Sequence, residues 1–276
     1  MTLDYQNRSV AREQIRRGEV AQDRLHPDAI LFLDIETVPI KRSYVELEDW
    51  QQKHWKDKYH RISAYLDKSA IHALFGRVAC IGLGRFYKKN GAIEWHECLI
   101  ADLDEKRLLE KFIEEWLNLD SQYNSVPSGY RPTFWVCGHN LQDFDIPFLG
   151  RRMVLNGINL PSLWRELQYK PPWQSNPGIL DTLRMWSFGS SDERRWVSLE
   201  VLAQALGIDF VKSLNHREIR ERFYQWEAQG EEKAFDKVKE YCLQDVRAVA
   251  HICLQMIGHL NETYLAALNS PHTTYL

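Results

Sequence analysis

Two carboxylates lie two residues apart in the apolar stretch LFLDIETVPI, near the start of the sequence. Alternate side chains of an extended strand share a face, so Asp34 and Glu36 should point the same way. Neighbouring anions beside a hydrophobic core repel each other and lose hydration, which penalises the charged form of both. The pair therefore indicates either an exposed strand end or a positive charge that holds the two acids.

Two further aspartates occur where packing does not favour a charge. Asp145 lies in GHNLQDFDIPFL, where a predicted strand gives way to a predicted helix, and Asp245 lies inside the last helix, in YCLQDVRAVAHI. Tyr241 precedes Asp245 by four residues, so both fall on one helical face. Each acid alone also has an ordinary explanation, such as a helix N-cap at Asp145 or a surface ion pair at Asp245.

Four carboxylates from three separate segments are explained together if they share divalent metal. Ligand sets made only of oxygen suit Mg²⁺ or Mn²⁺ better than zinc. Two such ions clamp the attacking and leaving oxygens of a phosphoryl group, and a bound water then serves as the nucleophile. The four acids therefore predict two-metal hydrolysis of a phosphodiester, and no cysteine or serine has convincing activating neighbours.

The segments that carry these acids predict a mixed α/β domain. An apolar strand over 29–38 precedes a hairpin in which GRVACIGLGRFY and AIEWHECLI are joined by the turn signal KKNG. Amphipathic helices are predicted at about 104–119 and 231–260. The order strand, hairpin, helix, strand, helix, strand, helix predicts a mixed five-stranded sheet with helices on its faces.

We expect one main domain with appendages. The predicted divisions are a charged extension over 1–29, a domain over 30–262 with an insertion at about 40–74, and a C-terminal tail over 263–276, whose last residues, NSPHTTYL, are expected to be frayed. The formal net charge of the 276 residues is −3, so nucleic-acid binding would depend on a local groove. Five scattered cysteines without CxxC spacing predict reduced core thiols. Without a signal segment or a long apolar run, we expect a cytoplasmic protein that does not enter a membrane.

Three segments resemble motifs of a known family. DIE on the first strand, HNLQDFD after the fourth strand and YCLQD on the last helix resemble motifs I, II and III of the DEDD 3′–5′ exonucleases. Tyr241 resembles the tyrosine of the tyrosine branch, whereas the histidine branch would require histidine where this chain has Glu240. Motif II is most similar to the proofreading domain of family B DNA polymerases and to related stand-alone bacterial exonucleases. The resemblance covers roughly residues 30–260.

The resemblance implies a ribonuclease H-like fold and a metal-dependent exonuclease. Such an enzyme releases nucleoside 5′-monophosphates from the 3′ end of single-stranded nucleic acid, and the likeness to family B favours DNA over RNA. It implies two Mg²⁺ or Mn²⁺ ions, with Asp34, Glu36 and Asp245 on the tightly held ion. Asp34 would bridge both ions, and Asp145 would hold the second.

The resemblance also implies roles for residues around the acids. Tyr241 would orient the attacking water, because a phenol with an ordinary pKa of about 10 is a poor base at neutral pH. Thr37 would contact the 3′-terminal nucleotide, and Asn140 and Phe144 would line the path of the single strand. Asp143 is an alternative to Asp145 as the motif II aspartate, but the resemblance favours Asp145 because phenylalanine precedes it.

Several alternatives stay open at the level of the sequence. A non-catalytic nucleic-acid-binding or partner-docking module of the same fold is one, and a nuclease subunit active only within a larger complex is another. Asp181 in ILDTL is interpreted as a structural hydrogen-bonding residue. Four aromatic residues of the insertion could stack on unpaired bases, but we favour packing onto the sheet for Trp50, Trp55, Tyr59 and Tyr65.

Overall fold

The computed structural model describes residues 25–124, 135–170, 178–190 and 196–276, so most of the extension predicted over 1–29 lies outside the described residues. The strands are β1 (Ile30–Pro39), β2 (Gly76–Lys89), β3 (Ala92–Ala101), β4 (Trp135–Gly138), β5 (Ile179–Asp181) and β6 (His272–Tyr275). They form one sheet in the order β5-β4-β1-β2-β3-β6. The β1–β2 and β2–β3 pairs are antiparallel, and the other pairs are parallel. This confirms the predicted mixed α/β sheet.

Helices cover both faces of the sheet. They are α1 (Asp49–Tyr59), α2 (Tyr65–Lys68), α3 (Glu105–Asn124), α4 (Asp145–Leu155), α5 (Ser162–Gln168), α6 (Thr182–Ser187), α7 (Leu199–Ala205), α8 (His216–Gln229), α9 (Asp236–Met256) and α10 (Glu262–Leu268). The apolar side chains of α3, α4 and α5 share one core, and those of α7, α8 and α9 pack on the opposite face. No helix of the described ranges is both long and apolar enough for a membrane crossing.

The central strand β1 distributes its side chains between the two faces. Leu31, Leu33 and Ile35 pack into the core beneath α3 and α4, whereas Ile30 and Phe32 pack with α9. Because alternate residues of a strand share a face, the two acids that follow Phe32 at even positions continue the series that faces α9. The alternation of side chains along β1 therefore places Asp34 and Glu36 on the face that α9 covers.

The predicted hairpin and the predicted last helix are confirmed. β2 and β3 pair from Cys80↔Ala101 to Lys89↔Ala92, and the turn between them holds Asn90 and Gly91 at φ 52° and 85°. Asparagine and glycine are the residues that adopt this left-handed conformation at least cost. α9 occupies most of the predicted span, preceded by a 3-10 turn over Glu232–Phe235.

The prediction of five strands and a frayed tail is wrong at the C-terminus. α10 is capped by the Asn261 side chain, which accepts the N–H groups of Thr263 and Tyr264. β6 then pairs in parallel with β3, and the Thr273 hydroxyl donates to the buried Glu97 carboxylate at 2.7 Å. All four residues of β6 are exposed, so the strand has no apolar alternation from which it could be predicted.

The insertion packs on a small core of its own. Trp55 and Tyr65 are fully buried there against Tyr44, Leu47 and Phe75. These two aromatic residues are therefore packed, as predicted, but they pack within the insertion and not onto the sheet. Trp50 instead remains 56% exposed.

A buried ion pair fixes α4 against α3 and β2. The Glu105 carboxylate, at the first turn of α3, accepts Arg152 Nε at 2.9 Å and the Val78 N–H at 2.7 Å. Arg152 also donates to the Ala73 carbonyl at 2.7 Å, and Asn156 donates to Glu105 at 3.1 Å. These contacts join two helices, a strand and the end of the insertion, and so fix the helix whose first residue is Asp145.

Replacing Arg152 with alanine should therefore destabilise the fold. The change leaves the buried Glu105 carboxylate without its cation, and we expect the free energy of unfolding to fall by about 3 kcal/mol in urea titrations. Arg151→Ala is the matched control, because Arg151 is exposed, and it should change stability by less than about 0.5 kcal/mol. Equal losses in the two variants would contradict the role assigned to the Glu105 pair.

Candidate metal centre and active site

Three carboxylates converge where α9 crosses β1. One oxygen each from Asp34, Glu36 and Asp245 lies within 4.8 Å of the other two. The helix can approach the sheet closely because the residue opposite Asp34 in β2 is Gly82, where a Cβ atom would lie 2.9 Å from Cys242 Sγ. Cys242 in turn lies 3.7 Å from the Asp34 carbonyl oxygen. Acids that are far apart in sequence thus meet at a strand–helix contact.

Asp145 approaches the same strand from the other side, at the start of α4. β4 pairs with β1 only over Ile30–Phe32, so the amide of Ile35 finds no partner in β4. Asp145 Oδ1 accepts that amide N–H at 3.2 Å, and the side chain is buried. Asp143, its rival in the sequence, is exposed and pairs with Arg184 at 2.8 Å. The geometry therefore brings Asp145, and not Asp143, alongside the acids of β1.

The electrostatics of the centre are those of a site with excess negative charge. Burial raises the pKa of Asp34 and Glu36 well above the usual range, and the neighbouring carboxylates raise it further. Burial also raises the pKa of Asp145 to about 8 and that of Asp245 to about 6. Without added positive charge, the centre retains protons at pH values where exposed carboxylates have lost theirs.

Tyr241 lies one helical turn before Asp245 and is buried. Burial raises the pKa of its phenol far above the usual value, and the charges of Asp245, Glu36 and Asp34 act in the same direction. The phenol therefore keeps its proton at neutral pH and can donate a hydrogen bond. It cannot serve as a base there.

Lys212 is a residue of this centre that the sequence did not reveal. It lies on the loop between α7 and α8, with Nζ 3.5 Å from Asp245 Oδ2 and 5.5 Å from the centroid of the Tyr241 ring. Burial by itself would lower the pKa of Lys212, but the carboxylates of Asp245, Asp34 and Glu36 outweigh burial and raise it. One lysine offsets part of the charge of four carboxylates. Nothing in the spacing around VKSLN indicates its role.

The donor set fits a divalent cation with a preference for oxygen. Asp245 Oδ1 is buried and has no hydrogen-bond partner within the described ranges, which is costly for a carboxylate oxygen. The clustered ligand atoms are all carboxylate oxygens, the type that Mg²⁺ and Mn²⁺ take in proteins. A cation between these acids would satisfy the unpaired oxygen and would reverse the direction of the pKa shifts.

The residues expected on the substrate path lie on β1 and on the segment before α4, and none of them is hydrogen-bonded through its side chain to the four acids in the described part of the chain. Thr37 follows Glu36 on β1 and is half-buried, just beyond a shift in the β1–β2 register. Asn140 adopts φ 62°, and its side-chain oxygen is buried without a hydrogen-bond partner in the described part of the chain. Phe144 immediately precedes α4, with its ring centroid 5.4 Å from that of Phe148.

Asp181 is the anchor of the loop that leads to α4. Its carboxylate accepts the backbone N–H groups of Asn140 at 2.9 Å, Gln142 at 3.0 Å and Leu183 at 3.0 Å. The structural hydrogen-bonding role predicted for this residue is confirmed. The contacts to Asn140 and Gln142 fix the backbone conformation of the segment that ends at Asp145, and the contact to Leu183 caps α6.

Comparison with protein families identifies the superfamily. A family model described as the RNase_H superfamily matches residues 70–257, which is more than half of the chain. The chain belongs to the RNase H superfamily. The predicted ribonuclease H-like fold is thereby confirmed, and membership supports a hydrolytic nuclease that uses divalent metal. The match includes Asp145, Tyr241 and Asp245, whereas β1 with Asp34 and Glu36 precedes it. No curated protein matches the chain.

In metal-free protein, the raised pKa values of the buried acids should make the free energy of unfolding depend on pH. The pKa of Asp145 is higher in the folded protein than in the unfolded chain. Its contribution to the free energy of unfolding is therefore full below about pH 4 and is lost as pH rises towards about 8. In EDTA, the stability of the wild type relative to Asp145→Asn should fall by up to about 1.4 kcal/mol per pH unit across this window.

Urea unfolding at several pH values measures this slope. Asp143→Asn is the matched control, because its carboxylate is exposed, and it should retain the slope of the wild type. A slope that is unchanged in Asp145→Asn would show that Asp145 does not titrate as a buried acid.

Proposed function

We propose that the protein is a metal-dependent 3′–5′ exonuclease of the tyrosine branch of the DEDD group. It would hydrolyse single-stranded nucleic acid, DNA in preference to RNA, and release nucleoside 5′-monophosphates. The observation that carries this proposal is the convergence of Asp34, Glu36 and Asp245, with Asp145 beside them and Tyr241 one turn before Asp245. Membership of the RNase H superfamily supports the same class of chemistry.

Asp34, Glu36, Asp145 and Asp245 would hold Mg²⁺ or Mn²⁺. When bound, the metal supplies the positive charge that lowers the pKa of an attacking water and stabilises the departing 3′ oxygen. The chain's own contribution is to hold the carboxylates on β1, α4 and α9, which fixes their directions before substrate arrives.

Tyr241 and Lys212 would complete the centre. The protonated phenol of Tyr241 can donate to a reacting oxygen and so orient the attack, which agrees with its raised pKa. Lys212, in contact with Asp245 and over the Tyr241 ring, retains a positive charge near the acids. Its charge would reduce carboxylate repulsion in the free protein and attract the phosphate of the substrate.

A groove beside α4 supports a polymeric substrate. Gln142, Asp143 and Ile146, which flank Asp145 in the sequence, line one part of a groove of about 1010 Å³ between α4, α5 and the insertion. Its lining includes four basic side chains, Lys58, Arg151, Lys170 and Arg184. A local basic groove on a protein with a net charge of −3 is what a single strand entering this centre would require.

The direct test uses 5′-labelled single-stranded DNA and RNA of one sequence, incubated with purified protein in Mg²⁺, Mn²⁺ or EDTA. We expect a ladder that shortens from the 3′ end, faster on DNA, and none in EDTA. Asp34→Ala and Asp245→Ala should abolish it, because each removes a metal ligand. Tyr241→Phe should slow it by about 10–100-fold, because only orientation is lost.

Asp143→Ala is the matched control and should retain activity where Asp145→Ala loses it. Intact substrate in every lane, with folded protein and metal present, would contradict the proposal. That result would favour a non-catalytic module or a subunit that needs its complex.

Removal of three of the four basic side chains of the groove should affect long substrates only. The triple variant Lys58→Ala, Arg151→Ala, Lys170→Ala should raise KM for a 12-mer oligonucleotide about tenfold, because strand contacts are lost. Its kcat, and its kinetics on a dinucleotide, should stay those of the wild type. Equal effects on the two substrates would show that the strand does not occupy the groove.

A further inference from the structure

A second set of metal-ligating side chains lies at the C-terminal edge of the sheet. One ligand atom each from Glu94, His96 and His272 lies within 4.8 Å of the other two. The Glu94 carboxylate is hydrogen-bonded to His96 Nε2 at 2.8 Å, and the two imidazole rings are 4.8 Å apart between centroids. Neither the resemblance nor the superfamily assigns a role to these residues.

Strand register brings the three side chains together. His96 of β3 is directly paired with His272 of β6, and Glu94 precedes His96 by two residues on the same face of β3. The next residue of β6, Thr273, points to the opposite face, where it donates to Glu97. This contact and the backbone pairing hold β6 in the register that places the two histidines side by side.

The cluster is separate from the candidate active centre. His96 lies on the same face of β3 as Cys98 and Ile100, which pack into the core beneath α3. The acids of β1 instead face α9. Two strands, β2 and β3, also lie between β1 and β6 in the sheet. A ligand bound to the cluster would therefore be independent of the proposed nuclease chemistry.

We propose that Glu94, His96 and His272 bind a divalent transition metal of the Zn²⁺ class and so tie β6 to β3. Two imidazole nitrogens and one carboxylate oxygen form a ligand set typical of zinc, unlike the all-oxygen centre. Zinc ligands lie about 2.0–2.2 Å from the ion and therefore about 3.5 Å from one another. Rotation of the side chains, which are not buried, would adjust the three atoms to this spacing and replace the 2.8 Å contact between Glu94 and His96. Solvent would take the fourth position.

Isothermal titration of the full chain with ZnCl₂ at about pH 7.5 tests the site. Excess Mg²⁺ is present to compete with Zn²⁺ for the proposed carboxylate centre. We expect the wild type to bind one equivalent of Zn²⁺ that His96→Ala and His272→Ala bind at least about tenfold more weakly. Glu94→Gln should weaken binding in the same direction. His54→Ala, an exposed histidine of the insertion, is the matched control and should bind as the wild type does.

Hydrogen exchange gives a readout independent of nuclease activity. With Zn²⁺ at about ten times its Kd, the amides of β6 should exchange about tenfold more slowly, and His272→Ala should abolish the effect. Equal Zn²⁺ affinity in the wild type and both histidine variants, or no binding, would overturn the proposal. Either result would leave a cross-strand histidine pair without metal.

Discussion

The burial of neighbouring carboxylates is the constraint on which this structure depends. Burial raises the pKa of Asp34, Glu36, Asp145 and Asp245, and in each case a nearby carboxylate raises it further. A protein selected only for stability would not keep such a group, because each unpaired charge costs free energy. The surrounding fold has to supply that free energy from packing elsewhere. A centre of this kind is what a metal-dependent phosphoryl-transfer site requires before its ions bind.

The fold meets this constraint with contacts that are local and rigid. β1 lies inside the sheet and gives its acids fixed directions, and Gly82 lets α9 approach closely enough for Asp245 to reach them. Early termination of β4 leaves an amide of β1 free to bind Asp145. The Glu105–Arg152 pair and the loop contacts of Asp181 then hold α4 in place. Lys212, on the loop between α7 and α8, places a positive charge beside Asp245 of α9.

Local patterns were sufficient to predict the elements that carry the acids, because strand alternation and helical periodicity are properties of short segments. β1, the β2–β3 hairpin and α9 were predicted in this way. β6 was not, because an exposed edge strand is specified by its partner and not by its own residues. α8 was also missed, although Asn215 and Glu218 form a capping box that marks its start. Lys212 could not be predicted, since its position depends on how a loop folds over α9.

The acids of β1, α4 and α9 are proposed to form one metal centre. Anomalous diffraction at the manganese edge tests this directly, using crystals of the protein soaked in Mn²⁺ with a short oligonucleotide. We expect manganese peaks bounded by Asp34, Glu36 and Asp245, with a second ion between Asp34 and Asp145, and none in crystals of Asp34→Ala. Full substrate occupancy with no manganese among these carboxylates would contradict it.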